Sequence, residues 1–398
     1  MPPAAGAAGQ NREHARRRAR LIVAVVLAAV LGPATAAPAR APMALGIQDD
    51  PMLMPAAYPP RDGRPMPRLS PAAALDRAQA LGASLVKLKV EWSSVQRTRE
   101  GLDLAPLSDA VDLARARGMA VMVLVTGPAP AWTSTTGRAS AYKPDVRAFA
   151  GFTAAVGESL RGRVESYAVW NEPNWPTSLR PRRMAATRYR ALYRRAFGAL
   201  RAADPGARIV LGNLAPMGTP EPAIPPLRFL RAVLCLDTRN RPVRACDPLV
   251  ADGVGLHPYT LRWRPDYPGR ADDATTGSLK RFVRVLDAAA SAGALRTSDG
   301  SPMPVDLIEW GFHAHFRPIP EPLRSRYAVD GLRLACREPR VRSLVWYQLA
   351  GPAPLPSARP SWDTGLLSPR GLPRPTFTAL QTLGPGVCPL LPIGGPEP

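Results

Sequence analysis

The sequence predicts one (β/α)8 barrel of the α/β class. Short β-branched apolar runs alternate with Ala/Arg/Leu-rich helical stretches, and eight such pairs fit within residues 43–384. The residues richest in chemistry, Glu172, His257, Glu309 and Trp346, all fall where an apolar run gives way to the next connection. A doubly wound sheet would need a glycine-rich phosphate turn after an early strand, and none is present.

The elements follow in order. Met43 to Ile47 is the first strand, and Pro71 to Leu81 the helix after it. Ser84 to Val90 leads to a helix over Leu107 to Arg117, stopped by Gly118 as C-cap. Ala120 to Val125 precedes the helix Lys143 to Leu160, and Val164 to Trp170 precedes Arg182 to Ala203, which Asp204-Pro205-Gly206 ends. Arg208 to Gly212 runs into a Pro- and Cys-containing segment with no clear helical period. Gly253 to His257 pairs with the helix Gly277 to Ala292, Val305 to Glu309 with Leu323 to Cys336, and Val341 to Tyr347 with a last helix, Thr376 to Thr382.

Both ends of the chain read differently. Arg16, Arg17, Arg18 and Arg20 precede an apolar run, Leu21 to Leu31, and the small-x-small site Ala34-Thr35-Ala36, the pattern of an export signal over residues 1–36. The run is too short to span a bilayer comfortably. Residues 37–42 form a short linker, and the Pro/Gly-rich residues 385–398 an irregular tail. Four cysteines in an exported chain suggest two disulfides. Of three pairings, the most local joins Cys235 to Cys246 and Cys336 to Cys388.

The net charge of +21 invites a nucleic-acid reading, but 48 of the 52 basic residues are arginines spread along the chain. That is the pattern of a solvated surface, so no nucleic-acid partner is expected, whereas attraction to anionic glycans stays open. Loss of residues 1–36 removes five Arg and one Glu and leaves +17. No further long apolar run occurs, so no membrane insertion is expected once the signal is removed. The cysteine spacings do not resemble metal-ligand pairs, and neither a metal nor an organic cofactor is expected. Oligomeric state is not legible.

The chemistry concentrates in two segments. Trp170-Asn171-Glu172-Pro173-Asn174 closes the run Tyr167-Ala168-Val169, and Glu309-Trp310-Gly311 closes Val305 to Ile308. Two glutamates at strand ends, each beside a tryptophan, are the parts needed to break a glycosidic bond. One carboxyl protonates the leaving oxygen while the other attacks the sugar carbon or activates water.

With Val169 to Asn174, His257-Pro258-Tyr259, Ile308 to Gly311 and Trp346-Tyr347-Gln348 so placed, the chain resembles the retaining glycoside hydrolases of clan A over about residues 43 to 383. It looks closest to the cellulase-like and β-xylosidase/iduronidase-like branches. The resemblance implies that Glu172 is the acid/base and Glu309 the nucleophile. It implies that Asn171 holds the sugar 2-hydroxyl, that Tyr259 holds Glu309, and that Trp346 forms a platform under the sugar. Lys87 stands where such families often carry an arginine, supplying charge but no bidentate fork. His257 either orients the nucleophile region or is a satisfied strand-end histidine. Trp132, Tyr142 and Trp175 are either sugar platforms or loop anchors. Asn213, Asp49-Asp50, Glu91, Trp92, His313 and His315 are weaker candidates. The expected activity is that of an exported retaining glycosidase with a carbohydrate substrate. The alternatives are a transglycosylase and a carbohydrate-binding protein that has lost catalysis, for which Lys87 is the sequence support.

Overall fold

The computed structural model describes residues 43–58, 69–134, 137–218, 223–314, 318–352, 362–384 and Cys388. The expected signal and linker, and all of the tail except Cys388, lie outside the described residues. No helix among the described residues is long and apolar enough to cross a membrane.

Eight parallel strands close into a barrel: β1 (Ala44–Gln48), β2 (Leu85–Glu91), β3 (Ala120–Thr126), β4 (Ser166–Val169), β5 (Arg208–Leu214), β6 (Gly253–Leu256), β7 (Val305–Trp310) and β8 (Val341–Tyr347). Every neighbouring pair is parallel, and β1 closes the ring by pairing with both β2 and β8. A helix follows each strand: α1 (Pro71–Ala80), α2 (Ala105–Arg115), α3 (Val146–Ser159), α4 (Ala185–Ala203), α5 (Pro226–Val233), α6 (Leu279–Ser291), α7 (Glu321–Arg337) and α8 (Pro375–Leu383). The fold is the (β/α)8 barrel that the alternation predicts.

Local chemistry sets the helix ends. The Ser70 hydroxyl accepts from Ala73 N–H ahead of Pro71 at N1, and the Asp145 carboxylate accepts from Ala148 N–H at the start of α3. On α4, Tyr189, Leu192, Tyr193, Ala196, Leu200 and Ala203 recur at helical spacing and are buried. Gly157 of α3 lets the two helices meet, since a Cβ there would lie 2.8 Å from Ala203 Cβ.

Alternation along the strands makes two separate cores. Leu85, Met122, Leu124, Ala168, Val210, Ile308 and Val345 form a cluster of strand residues alone, which is the filling of the barrel. Their neighbours Val86, Leu88, Val123, Val169, Leu307, Leu344 and Trp346 belong to the larger cluster that includes the helices.

Both expected disulfides form, Cys235–Cys246 and Cys336–Cys388. The helix α5 does not match the sequence reading, which left its region irregular. Pro226 at N1 and buried Leu227, Phe229, Leu230 and Val233 make it a two-turn amphipathic helix, too short for its period to stand out. Because Cys235 follows α5, the Cys235–Cys246 loop lies at the end of the barrel away from the strand C-termini. It therefore has no part in narrowing a cleft there.

Candidate active site

The strand C-termini carry an open cleft of about 780 Å³, lined among others by Glu172, Trp175, Tyr259, Glu309, Tyr347 and Trp362. Two irregularities in the sheet aim its carboxylates. Between the pairs Leu344↔Leu307 and Trp346↔Trp310, β7 has two residues where β8 has one. Ile308 and Glu309 thus both oppose Val345, a β-bulge that turns Glu309 to the barrel side although Ile308 already faces it. On β5 the pairs Leu211↔Val254 and Leu214↔Leu256 leave Gly212 and Asn213 opposite Gly255. The bulged Asn213 (φ 53°) secures the next loop: its carbonyl accepts from Glu172 N–H at 3.0 Å, and its amide nitrogen donates to Val169 O and Trp170 O at 3.1 and 2.6 Å. These bonds hold Trp170 and Glu172 at φ 65° and 43°, a strained backbone for non-glycine residues.

Around the carboxylates the polar groups converge. His257 Nδ1 lies 2.9 Å from Glu172 Oε1 and 3.8 Å from Glu309 Oε2, and its ring is fully buried. Tyr259 Oη donates to Glu309 Oε1 at 3.2 Å. Lys87 points into the barrel, where Nζ donates to Ile308 O at 2.9 Å and stands 3.5 Å from Glu309 Oε2. Burial pushes the Glu309 carboxyl up. The charges of His257, Lys87 and Lys89 and the Tyr259 hydroxyl outweigh that, and Glu309 is held below the usual carboxylate value. Burial pushes the Tyr259 and Tyr347 phenols well above theirs, so both remain donors.

Asn171 sits beside this group, its N–H donating to Thr126 Oγ1 at 3.0 Å and its Oδ1 buried without a partner. Asn174 is a buried pin, with Nδ2 donating to Ala215 O and Ile224 O at 3.0 and 2.9 Å. Trp175 lines the cleft.

The structure does not bring Trp346 or Trp132 to the cleft. Trp346 is fully buried on the helix side of β8, edge-on to Trp310 and with Nε1 donating to Thr364 O at 2.8 Å. Since faces alternate along a strand, it is the next residue, Tyr347, that faces the cleft. Trp132 anchors a loop, edge-on to buried Trp92, with Nε1 donating to Gln96 O and the Arg99 guanidinium 5.2 Å from its ring. Asp49 and Asp50 are structural: Asp49 accepts from Ala350 N–H at 2.9 Å, and Asp50 from Lys89 N–H and Gln48 Nε2. Tyr142 stands exposed beside Lys143, and His315 lies outside the described residues.

Trp362 and Trp263 are cleft residues that the sequence reading missed. Trp362 meets Tyr259 and His313 edge-on at 5.4 and 4.4 Å, and Trp263 stacks on Tyr267. Both sit on long loops without a motif, so an isolated Trp in a connection was the available signal. Among the described residues no group of three or more His, Cys, Asp or Glu is placed to hold a metal ion.

The (β/α)8 barrel thus brings two glutamates together over one histidine at its C-terminal face, the face on which barrels of this kind carry their active sites. Solved structures with this fold include a family 39 glycoside hydrolase from the gut symbiont Bacteroides cellulosilyticus (17% identity, 86% of this chain and 63% of that one, TM-score 0.60). A GH39 β-xylosidase from Caulobacter crescentus (19%, 87% and 72%, 0.56) and a GH5_18 protein from Bifidobacterium longum in complex with Manβ1-4GlcNAc (15%, 86% and 77%, 0.57) are also similar. The chain thus spans a little under two thirds of the first of these proteins. No protein-family profile and no curated protein matches the chain.

Proposed function

We propose that this protein is an exported glycoside hydrolase that cleaves β-glycosides with retention of configuration. The observation that carries the reading is the shared histidine. With Glu172 Oε1 and Glu309 Oε2 at 2.9 and 3.8 Å from one nitrogen, those oxygens are at most 6.7 Å apart, the sum of the two distances. That favours the ~5–5.5 Å separation of retaining enzymes over the ~6.5–9.5 Å that leaves room for a water in inverting ones.

In this reading Glu309, kept ionised by its neighbours, attacks the anomeric carbon as Glu172 gives its proton to the departing oxygen. A water, deprotonated by Glu172, then displaces Glu309 and restores both carboxyls. Asn171 holds the 2-hydroxyl and Tyr347 lies under the ring. The export-signal pattern over residues 1–36 and the two disulfides support export. A catalytically inert binding protein is disfavoured because Lys87 supplies the cation at Glu309 that an arginine would supply.

The test is turnover of aryl β-glycosides by the purified protein beside Glu172→Gln and Glu309→Gln. Activity lost by several orders of magnitude in both, with the β-anomer released first, supports the mechanism. Near-normal turnover in either variant, or release of the α-anomer, refutes it. Added acceptor sugar distinguishes hydrolysis from transglycosylation.

A further inference from the structure

A cavity of about 530 Å³ opens between α4 and α5 in the helix layer, apart from the catalytic cleft. Arg182 and Arg183, on the 3-10 turn Arg182–Met184 ahead of α4, and Arg228 of α5 supply its charge. Ala186, Ile224 and Ala232 supply much of the rest, and among the described residues no acidic side chain lines it.

The charge here is concentrated, unlike the spread along the chain as a whole. Between Pro173 and Ala203 lie eight arginines and no aspartate or glutamate. Farther along the same helices the arginines have partners: Arg194 and Arg201 of α4 meet Asp247 and Asp252, and Arg231 of α5 meets Asp272. Arg183 and Arg228 differ. Both are exposed, and among the described residues neither has an ion pair or a side-chain hydrogen bond. Two guanidiniums from different helices thus face one cavity with no counter-charge on its walls, and an anion placed there is attracted by both.

The apolar part of the lining says what kind of anion fits. Ala186, Ile224 and Ala232 offer aliphatic surface that a bare inorganic ion does not use, but that the C–H face of a sugar ring does. A carboxylate on that ring matches the guanidinium fork in a bidentate pair. The cavity is also tied to the catalytic loop. Ile224 N–H donates to Asn174 O at 3.0 Å, and Asn174 Nδ2 donates to Ile224 O at 2.9 Å. Asn174 lies two residues beyond Glu172, and its neighbour Trp175 faces the cleft.

We propose that this cavity is a docking site for an acidic polysaccharide, a chain of carboxylated sugars, which it grips outside the catalytic cleft. The proposal goes beyond the glycosidase reading and needs no turnover: it is a statement about binding.

The experiment titrates the purified protein calorimetrically with hexagalacturonate at 150 mM salt, where distant surface charges are screened. The double variant Arg183→Gln/Arg228→Gln is compared with Arg284→Gln/Arg326→Gln, which removes the same charge from exposed positions on α6 and α7. Ala232→Glu, a change at an exposed wall residue, puts a competing carboxylate into the cavity without disturbing the core. Binding should weaken roughly tenfold or more in the first double variant and in Ala232→Glu, and less than twofold in the second. Turnover of small aryl glycosides, where present, should be unchanged in all three. No binding by the wild type, or an equal loss in the two double variants, overturns the site and leaves the glycosidase reading untouched. Binding of a thymidine hexanucleotide as tight as that of hexagalacturonate, with the same loss in Arg183→Gln/Arg228→Gln, overturns the assignment to a sugar chain.

Discussion

His257 Nδ1 stands 2.9 Å from Glu172 Oε1, with the imidazole sealed from water. That contact and the 3.8 Å approach to Glu309 make one buried ring the link between the two carboxylates. Replacing it with leucine should lower kcat about 10²–10⁴-fold, the usual range for losing a group that manages proton transfer. Circular dichroism and the melting temperature of His257→Leu check this: a large loss of fold with kcat preserved in the remaining native protein would mean that the ring only packs.

Glu309 is held below its ordinary value of 4.5, so the acidic limb of kcat/KM attributable to it should lie below pH 4.5. Lys87→Met removes one of the cations that hold it there, and the limb should move to higher pH. For folding the sign is the usual carboxylate one. The stabilisation from Glu309 is present above its unfolded value and is lost as pH falls through its lower folded value. A pH–rate profile of Lys87→Met that keeps the wild-type limb would dissociate Lys87 from the ionisation of Glu309.

Asp49 behaves oppositely. Burial, with help from the charge of Asp50, outweighs the Ala350 N–H and pushes its carboxyl up to about 7. The folded protein therefore keeps a proton that the unfolded chain gives up, and this group costs stability as pH rises from about 4 to about 7. Asp49→Asn should gain stability relative to the wild type across that window, by up to a few kcal/mol (roughly 1.4 per pKa unit). Urea unfolding of both proteins at pH 4.5 and pH 8 measures it; an equal difference at the two pH values would contradict the assignment.

Gly331 on α7 is where a helix meets β7, the strand that carries Glu309. A Cβ there would lie 2.4 Å from Trp310 Cζ2, and Trp310 adjoins Glu309 on the bulge. Gly331→Ala should destabilise the protein by about 1–3 kcal/mol and lower kcat as well, because the ring can yield only by moving the strand. Thermal melts and kinetics on the same preparation test this; full activity at unchanged melting temperature would show that the ring has room.

The barrel was legible because its signals repeat: each strand is a short, mostly apolar run with at least one β-branched residue, and seven of the eight helices are long enough to show a period. The glutamates were legible from their motifs. What escaped was side-chain direction. Trp346 was chosen for its chemistry, yet alternation from Val345, which fills the barrel, puts Tyr347 on the cleft side and Trp346 among the helices. The same alternation would have sent Glu309 outward from Ile308, and a bulge, which leaves no mark in composition, reverses it. Asn213 was legible only as a weaker candidate for a similar reason: its bonds are made through a left-handed backbone and its carbonyl as well as its side chain.

The extra residue on β7 means that the closure of the barrel and the direction of the Glu309 carboxylate are set separately. Deleting Glu309 would leave Ile308 alone opposite Val345, so the barrel could close as before, while a glutamate placed directly after Ile308 would then fall in the helix layer. Such a chain would keep the scaffold but lose the carboxylate's place in the cleft, and a comparison of folds alone would not tell the two apart.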